Sequence, residues 1–454
     1  MSTKITKTNP VKNILILGAG FSATSMISYL LGKSNENDWS VTVGDVSEEV
    51  AKRKVAGNPR GRAIHFDINN EKQKSAEIGK SDVVISFLPS FMHPLVAAEC
   101  LKQNKHMVTA SYVSKEMKEL DAEAKSKGLA FLNELGVDPG IDHMSAMRVI
   151  DNIKSKGGKL LGFTSNTGGL IAPESDNNPW HYKFTWNPRN VVVAGQGTAK
   201  FIEKGRYKYL PYQQLFARPR RTNILNYGEF DYYPNRDSLS YREIYGIQDV
   251  QTLIRGTFRR PGYCQAWNVF VQLGATDDTY QLENTETMTY RDFINTYLHY
   301  SNTLMVEDKL CTLLNLDPKG EIMKMLTWLG IFEDIKIGLP NATPAQVLQK
   351  LLEEKWKLMP DDKDMIVMQH KFEYELAGKK KEITSSMVVI GKNQVETAMA
   401  ITVGMPVALA TEMLLQGKIK VTGVQTPVIP ELYNPLLDAL DKYGIRFIEE
   451  EIDL

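Results

Sequence analysis

The sequence predicts an α/β protein. It should hold a doubly wound parallel sheet, an inserted α+β domain, and a C-terminal helix that returns to the first domain. Three observations carry this. An apolar run, Val11 to Leu17, leads into Gly18-Ala19-Gly20 and then into a helical pattern (Met26, Ile27, Leu30, Leu31). Strand and helix patterns alternate up to residue 135. Beyond Gly136 the alternation stops, and it resumes only near the C-terminus. The divisions read from this are 1–135, 136–390 and 391–454.

The first strand, glycine turn and helix form the phosphate-binding turn of a dinucleotide (Rossmann) fold, G-x-G-x-x-A. Gly18 allows the sharp turn, Gly20 admits a pyrophosphate close to backbone, and Ala23 lets helix and strand pack closely. The helix N-terminus offers unpaired N–H groups to negative charge. A second strand, Trp39 to Val43, ends at Gly44-Asp45. An acidic residue there accepts hydrogen bonds from the ribose hydroxyls of NAD and repels a 2′-phosphate, while the nearby Arg53 leaves NADP open. Further strands are expected at Arg62–Phe66, Asp82–Leu88, His106–Thr109 and Leu129–Leu132, with helices at Pro94–Gln103 and Ser114–Lys127. The fourth strand is almost wholly apolar, as a parallel strand covered on both faces should be. Leu161–Lys208 reads as mainly β, including Val191-Val192-Val193; 291–358 is helical; Met365–Phe372 and Glu382–Ile390 are strands again. Val395–Gln416 is a long apolar helix. Its apolar stretch, Ala398 to Thr411, is 14 residues long, short of the roughly 20 a membrane span needs, so a buried helix is expected.

Composition narrows the function. Lys+Arg and Asp+Glu both number 54, so no net field recruits nucleic acid or an anionic membrane, and neither is expected as a partner. Cys100, Cys264 and Cys311 are far apart, which argues against a zinc site or disulfide framework and suits a cytoplasmic protein; no metal is expected. Met1 to Lys7 lacks the apolar core of a secretion signal.

Four stretches look chemical. Phe87-Leu88-Pro89-Ser90, Thr109-Ala110-Ser111-Tyr112 and Glu134 to His143 follow the fourth, fifth and sixth strands, at the edge where open α/β sheets bind ligands. Tyr233-Pro234-Asn235-Arg236-Asp237-Ser238 lies in the inserted domain, with Arg255 to Arg260 shortly after it. His143, at a helix start after Asp142, suits capping or packing better than general base chemistry. The aromatic group Trp180, Tyr182, Phe184 and Trp186 reads as core.

Together with Ile85 to Pro89, His93 to Val96, Met107 to Tyr112, Gly168-Gly169-Leu170, Asn178-Pro179, Tyr182-Lys183-Phe184 and Lys363 to Met368, these motifs resemble saccharopine dehydrogenase of the glutamate-forming type, along nearly the whole chain. The resemblance implies reversible oxidation of saccharopine, with hydride passing to a nicotinamide and hydrolysis of the imine to glutamate and α-aminoadipate semialdehyde. It implies substrate contacts at Ser111, Tyr112, Asp138, Arg236, Thr257, Phe258 and Arg259. Cofactor contacts fall on Ala19, Gly20, Phe21, Ser22, Asp67, Ile68, Leu88, Ala110, Ser111, Val137, Asp138 and Pro139, beside Gly18 and Asp45 from the turn itself. Val41 to Gly44 is shared with members that use NAD, so NAD is the expected cofactor and NADP the alternative.

The chemistry is consistent with these residues. A tri-acid substrate calls for guanidinium forks, which Arg236 and Arg259 supply. Asp138 can hold the substrate's ammonium group and, with Tyr112, serve the proton transfers. Two positions depart from the family pattern: Thr167 stands where many members have cysteine, and Ile171 where they have proline. Two other functions remain open at this stage. One is a carboxynorspermidine synthase-like imine reductase, which would want acidic groups where the arginines stand. The other is a non-catalytic NAD-binding scaffold, which would not need Asp138, Tyr112 and Arg236 together. A homodimer is expected, as is usual for such folds.

Overall fold

The structure is a computed structural model in which residues 11–454 are described; Met1 to Lys7, read above as no secretion signal, lies outside the described residues. The chain divides into two compact units, Met1–Asn152 with Val395–Phe447 and Ile153–Gln394 with Ile448–Leu454.

In the first unit, β1 (Lys12–Leu17), β2 (Trp39–Asp45), β3 (Gly61–His65), β4 (Val83–Ser86), β5 (His106–Val108) and β6 (Ala130–Leu132) form one sheet with a short late strand, Gly423–Gln425. Its order is Gly423–Gln425, β6, β5, β4, β1, β2, β3, and every pairing is parallel. The order reverses at β1 and β4, so this is the doubly wound topology the alternation predicts, with its switch point beside the glycine turn. All four residues of β4 are buried, as expected of a strand covered on both faces. The crossovers are α1 (Thr24–Lys33), α2 (Glu48–Val55), α3 (Glu71–Gly79), α4 (His93–Lys102), then α5 (Lys115–Glu119) and α6 (Asp121–Ser126) where one helix is predicted. The Ser114 hydroxyl caps α5, accepting from the Met117 amide at 3.2 Å. A longer helix, α7 (Ile141–Ser155), follows β6.

The apolar helix Ala398–Leu415 is long enough to cross a membrane by composition alone, yet it is mostly buried inside this unit. It packs on α1. Gly404 makes that approach close: a Cβ there would lie 2.9 Å from the Met26 amide nitrogen.

The second unit is built on a mixed sheet of β7 (Lys159–Ile171), β8 (Ala199–Glu203), β9 (Arg206–Leu210), β10 (Arg220–Asn223), β11 (Glu229–Pro234), β12 (Thr252–Arg259), β13 (Asp364–Leu376) and β14 (Lys379–Ile390). The order runs β10, β11, β12, β7, β13, β14, ending in the strand Ile448–Asp453, with β8 attached to β12 and β9 to β8. Only β12 and β7 pair in parallel among the main strands. Helices between 290 and 355 cover one core, which takes in Trp180, Tyr182, Phe184, Trp267 and Trp356.

One prediction fails locally. Val191-Val192-Val193 is not strand: Pro188–Val192 is a helical turn, capped by the Asn187 side chain accepting from the Arg189 amide at 3.0 Å. The Asn-Pro start signal outweighs the β preference of three valines.

Candidate active site

The glycine turn joins β1 to α1. Gly18 sits at φ +97°, and a Cβ there would lie 2.6 Å from the Phe87 carbonyl oxygen, so only glycine fits. Its amide donates to the Gly44 carbonyl at 2.8 Å, tying the turn to the end of β2. Ala19 is buried, and its amide donates to Asp45 Oδ2 at 2.8 Å, while Oδ1 accepts from the Ser47 amide at 2.9 Å. Asp45 is therefore fixed against the turn. Gly20 behaves differently from Gly18. Its φ is an ordinary −63°, and a Cβ added there would meet nothing within 4 Å. The protein's own packing does not require glycine at 20, which fits a bound group passing close to the backbone there. Phe21 is 78% exposed beside it and Ser22 follows, in a single 3-10 turn (Phe21–Ala23) that leads into α1, where the Ala23 amide donates to the Gly20 carbonyl at 3.1 Å.

The other residues assigned to the cofactor lie along the same C-terminal edge of the sheet. Asp67, just past β3, closes a local turn by accepting from the Asn69 amide at 2.9 Å, and Ile68 is buried beside it. Leu88 follows β4 and packs on the core of this unit. Ala110 and Ser111 follow β5, where the Ala110 methyl lies against Gly136.

The loop after β6 is unusually constrained. Gly140, at φ +147°, lies so close to Gly136 that no side chain fits. The Gly136 amide donates to the Pro139 carbonyl at 2.9 Å, Ile141 to Gly136 at 2.9 Å and Asp142 to Val137 at 3.1 Å. The Gly140 amide also donates to Asp142 Oδ1 at 2.6 Å. Val137 and Pro139 are buried by this closure, whereas Asp138 is left half-buried at the rim. Tyr112, 40% exposed, donates from its hydroxyl to Asp138 Oδ1 at 3.2 Å. The two residues singled out for proton chemistry are thus brought together.

Two residues without an assigned role hold these loops in place. Glu134, at φ +57°, accepts from the Val113 amide at 3.0 Å and pairs with His143 Nε2 at 2.8 Å. Its own amide donates to the Ser111 carbonyl at 3.0 Å. His143 is fully buried in that pair, in keeping with a packing histidine. His93 bridges the Ser86 and Ser111 hydroxyls, and burial pulls its pKa down to about 4. Both stood in quoted motifs, but only the folded geometry gives them a function.

In the second unit, Arg236 follows β11 in a loop held by the Asn235 amide donating to the Arg255 carbonyl and the Lys200 amide donating to the Arg236 carbonyl, each at 2.8 Å. Arg236 is exposed and sits at φ +49°. The Asn235 side-chain amide reaches the Thr257 hydroxyl at 3.2 Å. Thr257 pairs in parallel register with Thr167, which puts the two hydroxyls side by side on one face. Phe258 points the other way: it is fully buried against Phe230 and Tyr232, so only its backbone can meet a ligand.

Arg259 is 5% exposed, packed by the rings of Tyr182 and Tyr263 with its carbon 5.2 and 5.1 Å from their centroids. It donates to the Phe258 carbonyl, makes no ion pair among the described residues, and its Nε has no hydrogen-bond partner. The hydroxyl of Tyr182, whose ring packs on Arg259, is likewise buried without a hydrogen-bond partner among the described residues. A buried cation beside an unsatisfied hydroxyl is costly for an isolated chain, and both are donors that fit an anionic ligand. Burial pushes the neighbouring Tyr233 up to about 12, so that phenol is protonated at neutral pH.

A seven-stranded doubly wound sheet, a glycine turn open to a pyrophosphate and a Tyr–Asp pair at the same edge define a dinucleotide-dependent oxidoreductase. The comparisons narrow that class: the chain belongs to the saccharopine dehydrogenase family. Residues 14–132 match the saccharopine dehydrogenase NADP binding domain and residues 136–445 the saccharopine dehydrogenase C-terminal domain. The chain is 34% identical to saccharopine dehydrogenase [NADP(+), L-glutamate-forming] of Saccharomyces cerevisiae, over 97% of this chain and 99% of that one. It is also 34% identical to mouse mitochondrial α-aminoadipic semialdehyde synthase, over 98% of this chain but 48% of that longer protein. The apo structure of the S. cerevisiae L-Glu-forming enzyme superposes with a TM-score of 0.89 at 34% identity, covering 97% of this chain and all of that one. Homospermidine synthase of Legionella pneumophila, at 10% identity and a TM-score of 0.55, shares the fold alone.

Proposed function

We propose that the protein is an L-glutamate-forming saccharopine dehydrogenase, oxidising saccharopine reversibly to glutamate and α-aminoadipate semialdehyde. A bound nicotinamide dinucleotide supplies the hydride acceptor. The relatives' names specify NADP(+), while the pinned carboxylate of Asp45 favours NAD.

The chain's own residues do the rest. Asp138, held by the glycine-closed loop, binds the substrate's ammonium group. Tyr112 beside it relays the proton lost as the C–N bond becomes an imine, and water then adds to that carbon before the bond breaks. Arg236 and Arg259 grip substrate carboxylates, with Thr257 and the Phe258 backbone fixing their approach. Thr167, in place of the family cysteine, contributes a hydroxyl and no thiol chemistry. Three buried free thiols suit a cytoplasmic setting, and a homodimer is expected, which sedimentation would test.

The observation that carries this reading is the Tyr112–Asp138 pair, formed between the loops after β5 and β6 at the sheet edge where the glycine turn opens, with Asp138 on a loop closed tightly at Gly136 and Gly140. The arginines favour it over reduction of a polyamine-derived imine, whose cationic chain they would repel. Purified protein given saccharopine and either cofactor should produce reduced nicotinamide. Absence of that signal with both NAD and NADP would overturn the proposal.

A further inference from the structure

His93 opens α4 and is 2% exposed, with Nδ1 2.8 Å from the Ser86 hydroxyl and Nε2 2.7 Å from the Ser111 hydroxyl. Its ring is neutral at physiological pH because burial disfavours the cation. A neutral imidazole donates from one nitrogen and accepts at the other, so the two serines cannot be treated alike.

The surroundings decide which is which. Ser86 is fully buried at the end of β4, and among the described residues His93 Nδ1 is the only hydrogen-bond partner of its hydroxyl. Were Nδ1 protonated, the Ser86 proton would be left buried with no acceptor, which is unfavourable. The satisfied arrangement has Ser86 donating to Nδ1 and the ring proton on Nε2, donating to Ser111 Oγ. Ser111 then cannot give its own proton to the ring. No other atom of the described chain accepts from that hydroxyl. The Ser111 backbone is pinned as well: its amide donates to the Thr109 hydroxyl at 3.3 Å and its carbonyl accepts from Glu134. Ser111 is half-buried, so its hydroxyl proton remains available to an incoming acceptor.

We propose that His93 is a positioning residue which, held in its Nε2–H tautomer by Ser86, makes the Ser111 hydroxyl an obligate donor to an acceptor oxygen of the bound ligand. That oxygen belongs either to a substrate carboxylate or to the carboxamide of the nicotinamide. The inference rests on the placing of Ser111 in the active site proposed above.

Nitrogen NMR of the ¹⁵N-histidine-labelled protein reads the tautomer directly, without turnover. Nε2 of His93 should give a protonated, pyrrole-type shift and Nδ1 a pyridine-type shift. Ser86→Ala should erase that bias and raise KM, although Ser86 touches no ligand. His93→Leu should raise KM roughly ten- to a hundredfold, the range for losing a hydrogen bond to a charged group. His93→Gln, which can still donate to Ser111, should recover most of it. A rise in KM for saccharopine alone identifies the carboxylate as the acceptor, and a rise for the dinucleotide alone identifies the carboxamide. A protonated Nδ1 in the wild type, or unchanged KM values in both Ser86→Ala and His93→Leu, would overturn the inference. Should His93→Leu fail to fold, Ser86→Ala and the wild-type spectrum still decide it. If the wild type does not oxidise saccharopine, the functional reading fails while the tautomer remains measurable.

Discussion

Replacing Asp45 by serine tests how this chain selects its cofactor. Its carboxylate is immobilised by the Ala19 and Ser47 amides at 2.8 and 2.9 Å, so it cannot swing away from an added phosphate. Two unit charges about 4 Å apart repel by about 4 kcal/mol at an effective dielectric of 20. Asp45 is half-buried, and solvent screening reduces that to about 2 kcal/mol, or roughly thirtyfold in kcat/KM. The wild type should therefore prefer NAD to NADP by about that factor, in contrast to the NADP(+) of its relatives' names. Asp45→Ser removes the charge and keeps a hydroxyl able to accept from one of the two amides, so the ratio of kcat/KM values should fall by roughly thirtyfold. Losing one charge-assisted hydrogen bond also costs about 1.5–3 kcal/mol of stability, so rates belong well below the melting temperature. The assay is initial velocity with saccharopine and each cofactor in turn. An unchanged ratio would refute the electrostatic argument, whatever happened to the absolute rates.

Other expectations follow from the same geometry. Arg236→Ala should raise KM for saccharopine by roughly ten- to a hundredfold while leaving the cofactor KM and the melting temperature unchanged, since the side chain is exposed; parallel loss of both affinities would indicate a folding role. Asp138→Asn keeps the shape of the Tyr112 contact but removes the charge, so kcat/KM should fall by roughly a hundredfold or more with cofactor binding retained, as read by fluorescence titration. Gly140→Ala forces a Cβ into the Gly136 backbone at φ +147° and should cost about 3 kcal/mol or more in chemical denaturation. His93 binds its proton only near pH 4 when folded, against 6.5 when unfolded. The unfolded chain thus holds more protons between those values, so this residue makes stability fall by about 3 kcal/mol as pH drops from 6.5 to 4. Denaturation curves should show that slope in the wild type and lose it in His93→Gln.

How much of this was legible beforehand depends on how local each cause is. The doubly wound sheet was readable because most of its strands carry their own apolar run and alternate with helical periods, although β3 buries no residue fully and the crossovers α2 and α3 were not singled out. The late helix Ala398–Leu415 was readable for the same reason, although its partner α1 lies far away in sequence. Val191 to Val193 misled because a two-residue start signal, Asn187-Pro188, overrides three β-branched residues. In the site, Gly18, Asp45, Tyr112 and Asp138 stood in motifs whose chemistry requires them. Phe258 shows where motif reading stops: strand alternation turns its ring into the core while Thr257 faces the other way. His93 and Glu134 could not have been given roles from spacing. Each acts through partners on another loop, Ser111 for His93 and Val113 for Glu134, and only the fold brings those loops together.

The helix that seats Gly404 on the backbone of Met26 also sets a schedule for synthesis. The first 152 residues leave the ribosome without the layer that covers α1, and without the edge strand Gly423–Gln425 that pairs with β6. All of 153–394 is translated in the interval, so that unit can finish folding while the dinucleotide domain waits with an apolar flank bare. A nascent chain arrested near residue 394 should therefore recruit chaperones at its N-terminal half, and one released past 447 should not.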